Sequence, residues 1–428
     1  MASRQQNEVV VVGAGAAGLM AARELARGGK QVTLFEGRER CGGRIETLPE
    51  SEWGYAAEAG PEFVHGAARH TRGLMREAGL SLLPSHGEAW HAEDGKLSRD
   101  DRSTPHGGDF RRGLMALKED LPVAEFLARD FGEAKYADLR RSITRMVEGY
   151  DAADPNRAST FALRDEWMAR GIEQQGRIAE GYGAVMNFLL AECRRLGAAV
   201  EFGAEATAAE ADAQKVSVRC RDGRSVAADA AILAVPLPLL GGIALPDEAR
   251  AIADAAQADI GFGNVVKILL RFSSRWWAAR GGQDLSDMSF LFSSAAVPTW
   301  WTQHPREHPV LTGWLAGPRA NAVAGLSSEQ VIDRAVASLA QNFAVTADWL
   351  KGQLVASCAI DWGADPLARG AYSYATPSTR ALLDRLEHRD AAILFSGEAF
   401  YGGPEMGTVE AAFASGWNAA QRVLRAAA

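Results

Sequence analysis

Cysteine, excess positive charge and long apolar runs are all scarce in this chain of 428 residues, and each shortage excludes a class of protein. The four cysteines lie far apart and form no CxxC pair or cluster with histidine, so neither a disulfide framework nor a metal site is indicated. No stretch reaches the ~20 apolar residues of a membrane span. The excess of 54 acidic over 46 basic residues argues against a nucleic-acid partner. We therefore expect a cytoplasmic protein without a membrane or nucleic-acid partner.

The amino terminus has the pattern of a dinucleotide-binding unit. A β-branched run, Val9–Val12, precedes the glycine motif GAGAAG (Gly13–Gly18), and helical spacing follows as far as Arg27. The next strand, QVTLFE, ends at Glu36, close to the ~20-residue distance at which an acid holds a ribose hydroxyl in such folds. Strand, glycine turn, helix, strand and acid occur in the order that this fold requires.

Each glycine of the motif has a physical role. Gly13 permits the tight turn, Gly15 lets the backbone approach a pyrophosphate, and Gly18 lets the helix pack on the strand. The helix starts at Ala16 and Ala17, where free amides and the positive end of the dipole suit a phosphate. This segment alone leaves NAD, NADP and FAD open.

The residues that follow, EGRERCGGRIET, narrow the choice of cofactor. They resemble the FAD-binding signature ExxxRxGGRxxT of the flavin amine oxidase superfamily, and the matching positions are Glu36, Arg40, Gly42, Gly43, Arg44 and Thr47. The resemblance places Gly37, Arg38 and Gly43 among the cofactor contacts. The guanidinium of Arg44 can grip a phosphate through two parallel hydrogen bonds. FAD is therefore the expected cofactor.

A second motif, AEAGPEFVHG, resembles the loop of this family that packs on the flavin ring. The resemblance implies cofactor contacts at Gly60, Pro61, Glu62 and Phe63. His65 stands where polyamine and spermine oxidases have a histidine that contacts the substrate, although a lone loop histidine is otherwise an ordinary hydrogen-bonding residue. We expect His65, together with Glu62, to meet a distal polar group of the substrate.

The second half of the chain continues the resemblance in family order. The segment EGYGAVMNFLLAECRRLGAAVEFG resembles the turn and helix that lead back to the FAD domain, and the resemblance implies a main-chain contact to the adenine at Ala206. WGADPLARGAYSYATPS is similar to a run in lysine-specific histone demethylases and polyamine oxidases, with Trp362 at the cofactor and Tyr372 at the substrate. The closing segment implies cofactor contacts at Glu398, Thr408 and Val409.

Two positions depart from the mitochondrial monoamine oxidases. Ala371 occupies the place of their flavin-linked cysteine, so we expect non-covalent FAD. Those enzymes enclose the substrate amine between two aromatic side chains, and Thr408 occupies the place of the second one. We therefore expect an aromatic cage with a single wall, Tyr372, and with Thr408 beside the substrate.

The stretch GFGNVVKILLRF contains a lysine inside an expected strand, Val265–Phe272. Alternation puts Lys267 on the same face as Val265, Leu269 and Arg271, and without other context a strand lysine lies in water. The resemblance implies instead that its ammonium holds a water against flavin N5. The chain has only seven lysines, so arginine is its usual cation, and arginine cannot copy a compact point charge.

The expected fold class is α/β, with a Rossmann-like FAD-binding domain of the glutathione-reductase type and a discontinuous α+β substrate domain. The FAD domain comprises about residues 1–72, 175–245 and 385–428, and the substrate domain is helical over 73–174 and sheet-forming over 246–384. Trp300, Trp301 and Trp314 are expected in the core, with some of them at a cavity between the domains.

The resemblance implies an FAD-dependent amine oxidase. Hydride would pass from an amine α-carbon to flavin N5, giving an imine, and O2 would reoxidise the flavin to release H2O2. Lys267, Tyr372 and His65 are the catalytic candidates. A related FAD oxidoreductase acting on an amino acid or desaturating a non-amine substrate is the alternative, and a non-catalytic flavoprotein is a third. The sequence leaves the amine and the oligomeric state open.

Overall fold

A computed structural model describes residues 7–99, 104–169, 175–212, 214–387 and 391–426. Helices and strands are interspersed along these segments. The strands are β1 (Glu8–Val12), β2 (Gln31–Phe35), β3 (Phe63–His65), β4 (Leu82–Pro84), β5 (Glu88–Glu93), β6 (Lys96–Arg99), β7 (Gln175–Ile178), β8 (Ala199–Glu201), β9 (Ala206–Ala211), β10 (Val216–Cys220), β11 (Ser225–Ala228), β12 (Ala230–Leu233), β13 (Ile260–Gly263), β14 (Val265–Phe272), β15 (Ala279–Arg280), β16 (Gln283–Asp284), β17 (Met288–Ser293), β18 (Thr299–Trp301), β19 (Val310–Ala316), β20 (Leu354–Asp361), β21 (Tyr372–Ala375) and β22 (Ile393–Phe395). The α-helices are α1 (Ala16–Arg27), α2 (Glu50–Trp53), α3 (Arg69–Ala78), α4 (Gly107–Ala116), α5 (Val123–Asp130), α6 (Ala137–Gly149), α7 (Thr160–Ala169), α8 (Tyr182–Arg195), α9 (Asp247–Asp259), α10 (Pro318–Asn321), α11 (Ser328–Asn342), α12 (Ala347–Lys351), α13 (Thr379–Glu387) and α14 (Val409–Ala426).

A five-stranded parallel sheet forms the dinucleotide-binding half. Its order is β22-β12-β1-β2-β8, and every neighbouring pair is parallel. Residues 9–12 of β1 are buried, as expected for a parallel sheet covered on both faces. Helix α1 packs against α8 and α14 on one side of it. The predicted strand, glycine turn, helix and strand are confirmed.

An antiparallel sheet of β9, β10 and β11 lies between β8 and β12 in the chain. Its strands β10 and β11 lie on either side of the Asp222–Gly223 turn, and the fully buried strand β12 follows and joins the parallel sheet.

The second half of the molecule is built on a seven-stranded mixed sheet of order β20-β14-β19-β18-β17-β5-β6. Strand β14 lies between β20 and β19 and is antiparallel to both. Every residue of β14 except Arg271 is buried, including Lys267, which is 1% exposed. Trp300 is fully buried in the core on one side of this sheet, whereas Trp301 and Trp314 line a cavity.

The prediction that 73–174 is helical is only partly right. Helices α4 to α7 pack around one apolar cluster, but β4, β5 and β6 precede them in the same segment. In β5, Trp90 and Ala92 are buried between exposed neighbours, which is the two-residue period of a strand. Asp94 and Gly95 both have positive φ and close the β5–β6 hairpin, so this Asp-Gly pair is a hairpin signal within the segment predicted to be helical.

Three small sheets complete the fold: β3-β7-β4, β13-β21 and β15-β16. The first pairs the loop motif at Phe63–His65 with β7, and the second places Tyr372 opposite Gly263. No helix among the described residues is both long and apolar enough to cross a bilayer.

Candidate active site

A single large cavity of about 1960 Å³ is lined by residues of both the parallel and the mixed sheet, and we call it the main cavity. It begins at the carboxyl ends of β1, β2 and β12, where open α/β sheets bind ligands. The predicted site residues that line it are Gly13, Gly15, Ala16, Ala17, Glu36, Gly37, Arg38, Gly43, Arg44, Gly60, Pro61, Glu62, Phe63, His65, Ala206, Lys267, Trp362, Tyr372, Glu398, Thr408 and Val409. Gly18 lies behind the glycine turn instead.

The glycine turn at one end of the main cavity leaves no room for side chains. A Cβ on Gly13 would lie 2.7 Å from the Ala234 carbonyl oxygen, and one on Gly18 would lie 1.7 Å from the Gly13 carbonyl oxygen. A Cβ on Gly15 would meet nothing nearer than 4.0 Å, so Gly15 faces open space. Helix α1 starts here without an acidic residue or a side-chain cap in its first turn, which leaves its amides free for an anion.

Glu36 and Arg38 lie at the end of β2. Glu36 accepts hydrogen bonds from the Ala14 amide (2.7 Å) and the Arg38 amide (2.8 Å). Burial raises the pKa of Glu36 despite these two bonds. The Arg38 guanidinium is held at 2.7 Å by Asp365, so the strand end is tied to the turn that follows β20.

Arg44 forms an ion pair inside the main cavity. Its guanidinium donates to Glu398 (2.8 Å) and to the Ala371 carbonyl (2.6 Å), and the other oxygen of Glu398 accepts from the Ser373 amide (3.1 Å). A Cβ on Gly60 would lie 2.0 Å from the Arg44 carbonyl oxygen, so only glycine fits at the start of the loop motif. Trp362 fixes the same loop by donating to the Ala59 carbonyl at 3.1 Å.

Lys267 reaches the wall of the main cavity from β14. Its ammonium donates to the Gly60 carbonyl and to Glu62 Oε2, at 3.0 Å each. Glu62 also accepts from Arg177 Nε and Gln303 at 2.8 Å and from the Trp301 indole at 3.0 Å. Burial would raise the pKa of Glu62, but the Lys267 and Arg177 charges and these hydrogen bonds lower it to about 2. The Glu62 carboxylate is therefore ionised at all working pH values.

Tyr372 and His65 line the same cavity beside Tyr150. The Tyr372 hydroxyl donates to the Tyr150 carbonyl at 2.7 Å, and the His65 ring lies 6.1 Å from the Tyr150 ring. His65 Nδ1 is buried without a hydrogen-bond partner. Burial lowers the pKa of His65 to about 4, so its imidazole is neutral at neutral pH and leaves Nδ1 as an unpaired polar atom beside the cavity.

A pair of carboxyl groups in this part of the cavity was missed by the sequence analysis. Asp151 and Glu166 share a hydrogen bond, and both line the main cavity. Burial raises the pKa of Glu166 to about 7, and burial together with the charge of Glu166 raises the pKa of Asp151 well above its usual range. The pair therefore holds a shared proton at neutral pH. Burial raises the pKa of the Tyr372 phenol well above its usual value, and the nearby Asp151 and Glu166 charges raise it further.

Arg177 was also missed. It lies on β7, in a segment where nothing in the local sequence distinguishes it from the many surface arginines, and its partner Glu62 is far away in the chain. Neither Asp151 nor Glu166 lies next to a recognisable sequence motif. Only the fold brings these residues to the cavity.

Comparison with known proteins adds the family. Residues 16–424 match the model of the family described as flavin containing amine oxidoreductase. The chain belongs to this family. It is an FAD-dependent amine oxidoreductase.

Similar curated proteins cover nearly the whole chain. A probable polyamine oxidase 4 from Arabidopsis thaliana is 27% identical, over 98% of this chain and 87% of its own length. Lysine-specific histone demethylase 2 from Homo sapiens is 25% identical, over 91% of this chain and 50% of its own length. Polyamine oxidases from Oryza sativa are also similar, one of them at 26% identity over 96% of this chain and 87% of its own length.

Solved structures show the same fold at lower identity. A putrescine oxidase bound to putrescine superposes with a TM-score of 0.80 at 20% identity, over 98% of this chain and 99% of its own. Cyclohexylamine oxidase from Brevibacterium oxydans superposes with a TM-score of 0.79 at 19% identity and the same coverage.

The main cavity fits the FAD of this family. The glycine turn offers open space beside Gly15 and the free amides of α1, which suit a pyrophosphate. At the other end of the chain, Thr408 and Val409 line the cavity where α14 begins, so a second helix start faces it. The Arg44 guanidinium also lines the cavity and is half-buried, a position that suits a phosphate.

Proposed function

We propose that this enzyme oxidises amines by removing a hydride from the α-carbon and passes the electrons to O2, releasing H2O2. FAD supplies the hydride acceptor and the O2 chemistry. The observation that carries the proposal is the buried Lys267 ammonium, which reaches the same cavity as Tyr372, His65 and the glycine turn. Burying a charged lysine, here 1% exposed in an apolar strand, is costly, and a functional role beside a cofactor would explain why it is buried.

The residues that would hold FAD divide between the two ends of the cavity. The glycine turn, Glu36 and Arg44 would hold the dinucleotide, with Ala206 at the adenine and Glu398 near the ribityl chain. The loop from Gly60 would lie against the flavin ring, and the α14 amides at Val409 would face its polar edge. We propose that the FAD is non-covalent because Ala371 has no nucleophile.

The substrate would lie between the flavin site and the wall formed by Tyr372, His65 and Thr408. Tyr372 is oriented by its hydrogen bond to Tyr150, so its ring is held in place for an amine. The Asp151–Glu166 pair adds negative charge to this wall and favours a cationic substrate. Both oxygens of Glu62 already accept two hydrogen bonds each, so we assign Glu62 to Lys267 rather than to the substrate.

We propose polyamines as the first substrate class to test, because the similar curated proteins with the highest coverage are polyamine oxidases. The FAD domain would be of the glutathione-reductase type and comprise 1–72, 175–245 and 385–428, which hold all five strands of the parallel sheet. The remaining segments, 73–174 and 246–384, would form the substrate domain. The spacing of the cysteines supports a cytoplasmic location.

The test is anaerobic mixing of the purified holoenzyme with monoamines, diamines, polyamines and amino acids, each paired with the corresponding alcohol. Loss of the flavin band near ~450 nm measures electron transfer to the cofactor. We expect amines and not alcohols to bleach it, with a rate that rises with pH because only the neutral amine donates hydride. A yellow protein that no amine bleaches would favour the alternative flavin oxidoreductase, and bleaching that is independent of pH would contradict the hydride step.

A further inference from the structure

The Glu62 carboxylate is surrounded by donors from four different elements. Lys267 comes from β14, Arg177 from β7, Trp301 from β18, and Gln303 from the segment just after β18. Each oxygen accepts two hydrogen bonds at 2.8–3.0 Å, so the carboxylate has no capacity left for a mobile ligand. Glu62 is 8% exposed, and its geometry is fixed by the protein alone.

The cation behind Glu62 is itself anchored. Arg177 donates to the Thr302 carbonyl at 2.9 Å and to the Ser85 hydroxyl at 3.1 Å, while its Nε holds Glu62. Its guanidinium also lies over the Phe63 ring, 4.4 Å from the centroid. Arg177 therefore cannot swing away from Glu62 when the cavity fills, and the Glu62 carboxylate keeps its position opposite Lys267.

Glu62 is the one ionised carboxylate that faces Lys267 among the described residues. The other titratable groups near this pair are Glu58, Cys358 and Tyr55. Burial raises the pKa of Glu58 to about 8 and that of Cys358 to about 11, and it raises the pKa of the Tyr55 phenol well above its usual value. All three are neutral at neutral pH, so Glu62 supplies the negative charge opposite Lys267 there.

We propose that Glu62 is a positioning residue for Lys267: anchored by Arg177, its carboxylate keeps the Lys267 ammonium charged and fixed at the wall of the FAD cavity. The ammonium has three N–H groups, of which Gly60 and Glu62 take two, leaving one to act in the cavity. Lys267, Arg177 and Glu62 together carry one net positive charge, next to a cofactor that gains negative charge when it is reduced.

Removing the carboxylate changes the state of Lys267. In Glu62→Gln, two buried cations remain without an anion, and burial then favours the neutral amine form of the lysine because arginine cannot lose its proton. The variant should therefore lose the Lys267 charge as pH rises through a range in which the wild type keeps it. A structural role of Glu62 would lower stability at every pH without producing this titration.

The experiment follows the visible spectrum of the oxidised holoenzyme between about pH 6 and pH 10, a range that brackets the titration of a destabilised lysine. Because Glu58 beside this pair has a pKa of about 8, every protein in the comparison carries Glu58→Gln, and we expect a flavin spectral transition with Glu62→Gln that is absent when Glu62 is intact. The double variant Glu62→Gln, Lys267→Met should lack it, because the titrating group is gone. Flavin reoxidation by O2 in Glu62→Gln should be about 10- to 100-fold slower above the transition than below it.

Three matched variants complete the test. Glu62→Asp keeps the charge and should show no new spectral transition, whatever its effect on turnover. Asp229→Asn removes another carboxylate paired with a lysine, 3.1 Å from Lys215 and outside the cavity lining, and should show no transition. Glu62→Met replaces Glu62→Gln if the latter does not retain FAD.

Two results would overturn the proposal: a Glu62→Gln spectrum as independent of pH as wild type, or a transition that persists in the double variant. The spectral titration needs no turnover, although the role of Lys267 in reoxidation rests on the proposed function. If no amine reduces the flavin of the wild-type enzyme, the proposed function is refuted. The spectral titration would still test whether Glu62 positions Lys267.

Discussion

Replacing Lys267 by methionine tests the role of the buried ammonium most directly. Methionine keeps an unbranched stem of similar length and removes only the charge and its donors. Breaking a buried ion pair costs about 3–5 kcal/mol when one charge is left unpaired. Here Glu62 retains Arg177, Gln303 and Trp301, so we expect the lower cost of one charged hydrogen bond, about 1–3 kcal/mol of the free energy of unfolding.

The effect on the reaction should be larger than the effect on stability. Loss of one preorganised donor at a developing charge slows a reaction by about 100- to 1,000-fold. FAD should stay bound, because the glycine turn, the α1 amides and Arg44 lie on other elements. The assay reduces the enzyme anaerobically, mixes it with O2 and follows the return of the flavin band.

The control for Lys267→Met is Lys215→Met, which makes the same substitution at a lysine paired with Glu8 and Asp229 outside the cavity lining. It should reoxidise as wild type does. Rates of reoxidation and turnover in Lys267→Met within about threefold of wild type would show that Lys267 has no part in the reaction, because such a change is smaller than the loss of one hydrogen bond would cause.

Four further results are expected. Gly18→Ala should lose FAD and lower the melting temperature, because its Cβ would lie 1.7 Å from the Gly13 carbonyl oxygen. Gly149→Ala is the control, because a Cβ there meets open space, and equal FAD content in the two variants would contradict the packing argument. Glu58→Gln should abolish a pH dependence of the free energy of unfolding. The pKa of Glu58 is raised to about 8, so the stability that its protonated carboxyl contributes is complete below about pH 4.5 and is lost as pH rises through 8. Melting curves across this range would show the change of a few kcal/mol in wild type and its absence in the variant. Glu166→Gln should raise KM for cationic amines about 10-fold with little change in kcat, because Glu166, with a pKa of about 7, is the member of the pair that ionises first; an unchanged KM would remove the pair from substrate binding. Acid denaturation should release all of the yellow colour into solution, and a coloured pellet would contradict non-covalent FAD.

The parts of the fold that sequence predicted well are those that local physics determines. A glycine without room for a Cβ, a β-branched strand and a helix start lie within one stretch, so the unit at Val9–Glu36 could be recognised directly. The Asp94–Gly95 hairpin is equally local, but the prediction that 73–174 is helical leaves no place for it. Family resemblance supplied Lys267 and Tyr372, which no local rule distinguishes from ordinary strand residues.

The residues that sequence could not supply are those defined by contacts between distant elements. Asp151 follows α6 and Glu166 lies within α7, and each would be an ordinary surface acid on its own. Burial at the cavity wall raises the pKa of both, and the charge and hydrogen bond of Glu166 raise that of Asp151 further. For Glu62, resemblance indicated a loop against the flavin, but its engagement with Arg177 depends on the pairing of β3 with β7.

The same limit applies to β14, where alternation assigned Lys267 to a face but could not tell what covers that face. One face packs on the core that contains α11, through Ile268 and Leu270. The other would be wet in an open sheet, but here Leu269 packs on Trp53 and Tyr55 from the segment before the flavin loop. That segment leads directly to the loop that carries the two acceptors of the Lys267 ammonium. Because the chain segment that excludes water from β14 continues into the partners of Lys267, burial of the lysine and its placement at the wall of the main cavity have a single structural cause.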